Sequence, residues 1–354
     1  MTDRKNGVRA RFAALGIDGF LVSDLANIRY LSGYSGSNGL LLLTGEGAIF
    51  LTDFRYQEQV KTEVKGCTVK IATRNLFDDF VTLEELAPVK RLGFESTNLT
   101  VKTHTKLKDA LKTVELVACD DIVAELRAVK EPAELTKIKT AVGITDRVFK
   151  RVVKLIKPGV KEKDLALEVD YQLKQAGDGL AFQTIVVAGP GSALPHGQPT
   201  TRRLKKGDFI TFDMGAAFAG YSSDFTRTVV LGNASKKQKE IYSVVLEAQI
   251  RAIDGIRAGV RAQAVDALAR SHIKNRGYGE YFGHGLGHGL GLFVHELPVL
   301  SAKSEATLAA GNVVTVEPGI YLPGFGGVRI EDVVVVKPTG ALVLTGTTKR
   351  LLEL

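Results

Sequence analysis

The apolar positions of the N-terminal third form short runs that are separated by amphipathic stretches. The runs 40–43 and 49–51 flank a Gly-Glu-Gly sequence at 45–47, and this arrangement predicts a β-hairpin. Further strand-like and helix-like segments alternate up to residue 94. Such alternation is typical of a small α/β domain, which we expect over residues 1–127.

From about residue 122 the apolar spacing changes to a long helical period, which is interrupted near Pro132. Two more helical patterns, at 236–256 and 262–277, are interspersed with strand-like runs that follow no regular βαβ rhythm. The sequence therefore predicts a second domain of α+β class with antiparallel pairing, over residues 128–354.

Composition places the chain among ordinary globular proteins, with 354 residues, 45% hydrophobic and 24% charged. No apolar run approaches the roughly 20 residues that span a bilayer, and the start does not read as a signal peptide, so we expect a cytoplasmic protein without membrane contact. The net charge of +8 is scattered. Its two short clusters, 202–206 and 236–239, lack interleaved aromatics, which argues against nucleic-acid binding.

Two aspartates flank a predicted turn in the second domain. Asp213 ends the strand-like run 209–213, and the chain returns through Asp224 into another such run. A turn near 218–220 would place the two carboxylates opposite each other, with Cβ atoms about 5 Å apart. Two ionised carboxylates at that distance repel unless a cation joins them. The alternative is two solvent-facing aspartates beside a loop.

A second acidic pair follows the same pattern further along the chain. Glu317 ends the run 313–317, and Glu331 precedes the apolar run 333–336. Their midpoint is Gly324, inside a Gly/Pro-rich turn, so these two carboxylates are also predicted to oppose each other.

Between the hairpins lies a glycine-rich segment that contains His284, His288 and His295. The first two have the spacing of a helical zinc motif, but the surrounding glycines favour a loop or strand in which backbones approach closely. No phosphate-binding glycine pattern is present. His196 joins these candidates from a separate loop.

Four carboxylates and one imidazole form a ligand set with a charge of about −4, which suits two divalent cations and predicts hydrolysis. Oxygen-dominated ligation favours Mn²⁺, with Co²⁺, Fe²⁺ or Zn²⁺ as alternatives, over a thiolate site. The candidate ligands are Asp213, Asp224, His288, Glu317 and Glu331.

This order of ligands resembles the pita-bread metallopeptidases of family M24, the group of methionine aminopeptidase, aminopeptidase P and prolidase. The matching segments are 212–215, 224–228, 284–296, 317–321 and 327–332. The segment 27–33 is similar to the creatinase/prolidase N-terminal domain, which methionine aminopeptidases normally lack. The resemblance therefore implies the branch that cleaves Xaa-Pro bonds in proline-containing peptides. Because members of this family are commonly homodimers, it also implies a homodimer.

The resemblance also implies a role for each matching residue. Asp213 would hold one metal, His288 and Glu317 the other, and Asp224 and Glu331 would bridge the two. Glu317 would also carry a proton to and from the reacting groups.

The resemblance implies two further groups of residues. The substrate would be bound by His196, His284 and His295, and the catalytic residues would be His196, His295, Glu317 and Arg329.

One position departs from the prolidase pattern. Many prolidases carry an arginine shortly after the His-Glu pair, where it binds the C-terminal carboxylate of a dipeptide, but this chain has Val299 at about that place. We therefore expect behaviour similar to aminopeptidase P. Three alternatives remain: a strict Xaa-Pro dipeptidase, a non-catalytic binding protein that keeps the pita-bread fold, and a metal-free creatine amidinohydrolase.

Overall fold

The computed structural model describes residues 4–354, and the chain divides into two compact units, residues 1–127 and residues 128–354. The helices are α1 (Arg4–Arg9), α2 (Phe12–Leu15), α3 (Leu25–Ser32), α4 (Gln59–Glu63), α5 (Leu76–Phe80), α6 (Val101–Ala110), α7 (Ile122–Ala128), α8 (Pro132–Val152), α9 (Glu162–Ala176), α10 (Lys236–Gly255) and α11 (Ala262–Asn275).

The strands of the first unit are β1 (Gly19–Val22), β2 (Leu40–Thr44), β3 (Ala48–Asp53), β4 (Thr68–Ala72), β5 (Arg91–Glu95) and β6 (Glu115–Cys119). They form one sheet in the order β4-β3-β2-β1-β5-β6. β2 pairs antiparallel with β1 and β3, whereas the outer pairs are parallel. The hairpin predicted around residues 45–47 and the α/β class are confirmed. Every residue of β2 is buried, in keeping with its apolar run.

The strands of the second unit are β7 (Gly179–Leu180), β8 (Ile185–Ala188), β9 (Phe209–Asp213), β10 (Ala216–Phe218), β11 (Tyr221–Ser222), β12 (Thr226–Val230), β13 (Gly287–Gly289), β14 (Glu296–Leu300), β15 (Val313–Val316), β16 (Gly319–Leu322), β17 (Gly326–Arg329), β18 (Asp332–Val336) and β19 (Ala341–Val343). Every pairing among them is antiparallel. The α+β class with antiparallel pairing is therefore confirmed.

Two helix pairs cover the sheets that carry the acidic residues. In one buried cluster, Phe149 of α8 and Val169 of α9 pack with Phe212 of β9. In another, Val245 of α10 and Val265 of α11 pack with strands β15, β17 and β18. The apolar stripes of these helices thus fix the strands from which the candidate ligands project. No helix within residues 4–354 combines the length and apolarity that crossing a membrane requires.

A buried ion pair joins the two acidic hairpins. Arg227 of β12 donates to Asp332 of β18 over 2.8 Å, and their side chains are 2% and 0% exposed. The guanidinium also donates to the carbonyls of Thr347 and Thr348, and Lys349 lies 2.7 Å from the same aspartate. Because every charge in this cluster has a partner, the pair holds β12 and β18 in a defined relative position.

Candidate metal centre

Strands β9 and β12 pair so that Asp213 lies opposite Thr226. The prediction that Asp213 faces Asp224 directly is therefore wrong by two residues. The cause is the turn, in which Ala219 and Gly220 adopt positive φ angles of 50° and 82° and Phe218 pairs with Tyr221. Such a two-residue turn matches strand twist, and its centre falls one residue beyond the midpoint between the aspartates.

The offset nevertheless leaves the two aspartates on one face of the sheet, because side chains alternate along a strand. Asp213, Asp224 and Glu331 each contribute a carboxylate oxygen to a group whose members lie within 4.8 Å of one another. The two aspartates therefore come close together as predicted, but they lie diagonally across the strand pair and not directly opposite each other.

The second acidic pair has the register that the sequence predicts. Val316 pairs with Asp332, and Gly319 pairs with Arg329, so Glu317 lies opposite Glu331 in the intervening stretch. Gly324 occupies the turn with a φ of 78°.

His288 lies in the middle of the short strand β13, between β14 and β15. A Cβ atom on Gly287 would lie 2.1 Å from the carbonyl oxygen of Thr315, and one on Gly289 would lie 2.1 Å from that of Leu297. Only glycine allows these approaches, which confirms the prediction of closely packed backbones around this histidine.

One ring nitrogen of His288 faces the candidate carboxylate ligands. Its Nδ1 lies 3.0 Å from the carbonyl oxygen of Gly289, and its Nε2 lies 3.2 Å from Glu317 and 3.6 Å from Asp224. Burial opposes protonation here, but the hydrogen bond to Glu317 and the two carboxylate charges raise the pKa of His288 to about 9. A ring oriented by its other nitrogen in this way is typical of a metal ligand.

The charges and hydrogen bonds of the cluster suit a cation. Within residues 4–354, Asp213 Oδ1 and Glu331 Oε1 are buried oxygens without a hydrogen-bond partner. Burial raises the pKa of Asp213, although Arg329 opposes the effect. Burial and then neighbouring carboxylates raise the pKa of Asp224 and Glu331 well above the usual range. An oxygen-rich set with one imidazole therefore fits divalent metal ions.

Arg329 anchors one side of the cluster. Its guanidinium donates to Asp213 Oδ2 over 2.5 Å, to the hydroxyl of Tyr321 over 3.0 Å and to Thr226 Oγ1 over 3.1 Å. The hydroxyl of Thr226 donates in turn to Glu331 over 2.8 Å. The positions of two candidate ligands are thus coupled through one arginine and one threonine.

Two threonines and a tyrosine that were not predicted from the sequence support the site. Thr315 donates to Glu317 over 3.1 Å and accepts the backbone N–H of His288 over 3.0 Å. Thr226 follows Asp224 by two residues, and Thr315 precedes Glu317 by two, so strand alternation places each threonine on the ligand face. The spacing of two residues from a candidate ligand could therefore have identified both threonines from the sequence. Tyr321 carries no comparable signal.

The predicted substrate-side histidines lie around the same cluster. The ring of His295 lies 4.1 Å from that of His288, measured between centroids. The exposed His196 follows Pro195, whose carbonyl accepts from Arg329 over 3.3 Å. Partial burial and the charge of His288 lower the pKa of His295.

His284 has both ring nitrogens engaged. Nδ1 lies 2.8 Å from the carbonyl oxygen of Gly285, and Nε2 lies 2.9 Å from the hydroxyl of Tyr321. Burial lowers its pKa. In this arrangement His284 supports Tyr321, which itself contacts Arg329.

Comparisons with known proteins find similarity over both units of the chain. Residues 136–338 match the model of metallopeptidase family M24, and residues 4–129 match that of the creatinase/prolidase N-terminal domain. The chain is 39% identical to an Xaa-Pro dipeptidase of Pyrococcus horikoshii over 339 residues, 95% of each chain. The structure of an Xaa-Pro dipeptidase from Bacillus anthracis superposes with a TM-score of 0.96 at 39% identity, covering 99% of both chains.

An X-Pro aminopeptidase from Thermotoga maritima is also similar, with a TM-score of 0.90, 37% identity and coverage of 98% of this chain and 100% of the other. Solved relatives of both peptidase types therefore share this architecture. Since the family model covers most of the unit that holds the acidic cluster, the chain is an enzyme of metallopeptidase family M24 with the pita-bread fold.

Proposed function

We propose that this enzyme hydrolyses the peptide bond between an N-terminal residue and a following proline, with two divalent cations at the acidic cluster. The observation that carries the proposal is the set of converging buried carboxylates, in which Asp213 and Glu331 each keep an oxygen without a hydrogen-bond partner among residues 4–354. The names of the similar enzymes support Xaa-Pro bonds as the substrate.

The proposed ligands divide into three groups. Asp213 would hold one cation, His288 and Glu317 the other, and Asp224 and Glu331 would contact both. Four carboxylates balance the charge of two divalent ions, and the excess of oxygen favours Mn²⁺, with Co²⁺ or Zn²⁺ as alternatives. When bound, such cations lower the pKa of water and polarise a carbonyl.

Glu317 is the proposed proton carrier. Burial opposes its ionisation, but the hydrogen bond to His288 and the charge of that ring lower the pKa of Glu317 below its usual value. In the metal-free chain the carboxylate is therefore ionised at neutral pH, and a bound cation would favour the ionised form in place of the proton on His288. Glu317 would then accept a proton from the attacking water. It can then deliver that proton to the leaving proline nitrogen.

The surrounding side chains would orient the substrate. His295 and His196 are proposed to donate hydrogen bonds to the scissile carbonyl as negative charge develops on it. Arg329 fixes Asp213 and also the loop that carries His196, through the carbonyl of Pro195. Direct substrate binding by His284 would require one of its two present contacts to open.

Val299 supports a preference for peptides longer than two residues. The side chain is 43% exposed on β14 and has no charge with which to bind the C-terminal carboxylate of a dipeptide. Such a charge-assisted contact contributes about 1.5–3 kcal/mol, so its loss weakens dipeptides selectively. We therefore propose behaviour similar to aminopeptidase P. The second candidate is a strict dipeptidase, the activity for which two of the similar proteins are named.

A substrate series tests both parts of the proposal. One preparation is assayed on an Xaa-Pro dipeptide, the corresponding tripeptide and a longer peptide, each paired with a control in which alanine replaces proline. We expect cleavage of the proline series, with kcat/KM for the tripeptide at least equal to that for the dipeptide. Preference for the alanine peptides would contradict the proposed specificity, and cleavage of the dipeptide alone would establish the second candidate.

A further inference from the structure

A second buried ion pair lies at the turn that carries His295. Lys130 Nζ is 3.2 Å from Glu296 Oε2, and the two side chains are only 1% and 3% exposed. Lys130 precedes helix α8, whereas Glu296 directly follows His295 at the start of β14. Two opposite charges that are buried this deeply attract each other strongly, so the geometry of the pair is enforced.

Glu296 organises the turn formed by residues 291–295. Its Oε1 accepts the backbone N–H of Phe293 over 2.8 Å. A Cβ atom on Gly291 would lie 2.6 Å from Glu296 Oε2, so the chain folds closely over this carboxylate. The carbonyl of Gly291 accepts the N–H of Ser222 over 2.8 Å, which ties the turn to the hairpin that leads to Asp224.

Lys130 is itself held by the backbone around it. Its N–H donates to the carbonyl of Gly311 over 2.9 Å, and Nζ also lies 3.4 Å from the carbonyl oxygen of Ala128. The preceding Val129 forms a β-bridge with Asn312, one residue before β15 begins. The ammonium group is therefore a fixed point relative to the strand that leads to Glu317.

We propose that Lys130 is a positioning residue for the reaction. Through Glu296 it holds the 291–295 turn so that the ring of His295 stays 4.1 Å from that of His288 and meets the scissile carbonyl. This inference rests on the proposed function, because it acts through the substrate-side role of His295. The Lys130 side chain is only 1% exposed, so its proposed action is through Glu296 and not by contact with the substrate.

The test is a double-mutant cycle. Lys130→Met is made in the natural sequence and in the His295→Ala background, with the exposed Lys139→Met as the matched control on α8. In the natural sequence we expect Lys130→Met to lower kcat/KM about tenfold or more, since a small misplacement of a catalytic group has effects of this size. Metal content should be unchanged. In the His295→Ala background the further loss should be less than about twofold.

Equal losses in both backgrounds would show a purely structural role and overturn the inference. Glu296→Gln, which keeps an acceptor for the Phe293 N–H but removes the charge, provides a second variant with the same expected pattern should Lys130→Met fail to fold. The crystal structure of either variant gives a readout that is independent of activity. An unmoved His295 ring would overturn the inference, whereas failure of the natural enzyme to cleave any Xaa-Pro peptide would overturn the proposed function instead.

Discussion

Asp224 and Glu331 are buried acids that lie close to each other and to Asp213. Burial and then neighbouring carboxylates raise the pKa of both, and the charges of His288 and Arg329 only partly oppose this rise at Asp224. Without a bound cation, ionisation of the acidic cluster is therefore electrostatically unfavourable. Divalent cations remove this electrostatic penalty, which links metal binding to the stability of the folded chain.

Replacement of a shared carboxylate should have opposite effects with and without metal. We expect metal-free Asp224→Asn to be more stable than metal-free natural protein at neutral pH, because the amide does not carry the charge that burial and neighbouring carboxylates disfavour on Asp224. With metal present, the variant should be less stable and slower by orders of magnitude, since a ligand is lost. Denaturant unfolding with and without a chelator measures this, with the exposed Asp254→Asn as control. Equal destabilisation in both conditions would argue against a cation at this site.

His288 should make metal-free stability depend on pH. Its pKa rises from 6.5 to about 9 in the folded chain, so the stabilisation is complete below pH 6.5 and is lost as the pH rises through about 9. The raised pKa values of Asp224 and Glu331 act in the same direction. We expect the free energy of unfolding of chelated protein to fall across this window, and His288→Asn to flatten the fall. A flat profile for the chelated natural protein would contradict a stabilising charge on His288.

At the scale of elements, the residue types in each turn determined whether the register of its hairpin could be predicted from the sequence. The Gly/Pro-rich turn around Gly324 marks its own centre, so the register of Glu317 and Glu331 follows from counting. The other turn places Ala219 in a left-handed conformation that its residue type does not signal. Ion pairs such as Arg227–Asp332 join residues more than a hundred positions apart, and no local pattern reveals them.

The glycines of β13 provide a test at this scale. Gly287→Ala would bring a Cβ atom to 2.1 Å from the carbonyl of Thr315, whereas Gly283→Ala in the same segment has open space within 4 Å. We expect Gly287→Ala to destabilise the protein by about 2 kcal/mol or more and to lower activity, because β13 must separate from β15. Gly283→Ala should change stability by no more than about 0.5 kcal/mol. Similar effects of the two substitutions, measured by thermal unfolding, would contradict this explanation of the glycine pattern.

At the scale of the whole molecule, the sequence predicted the α/β class of the first unit and the antiparallel α+β class of the second. Both predictions rest on periodicity, which reports local structure well. The pairing order of strands β8 to β19 could not be derived in this way, because it depends on contacts between distant segments. Solved relatives with this architecture include a dipeptidase and an aminopeptidase, so the preferred peptide length does not follow from the fold, and we propose that the surface around Val299 decides it.

The central claim is that the acidic cluster holds two divalent cations that hydrolysis requires. The most direct measurement is metal content per chain by elemental analysis, taken together with Xaa-Pro cleavage on the same samples before chelation, after it and after titration with Mn²⁺. We predict that activity disappears with the metal and returns fully as the content approaches two ions per chain. Undiminished cleavage by a verified metal-free enzyme would contradict the account.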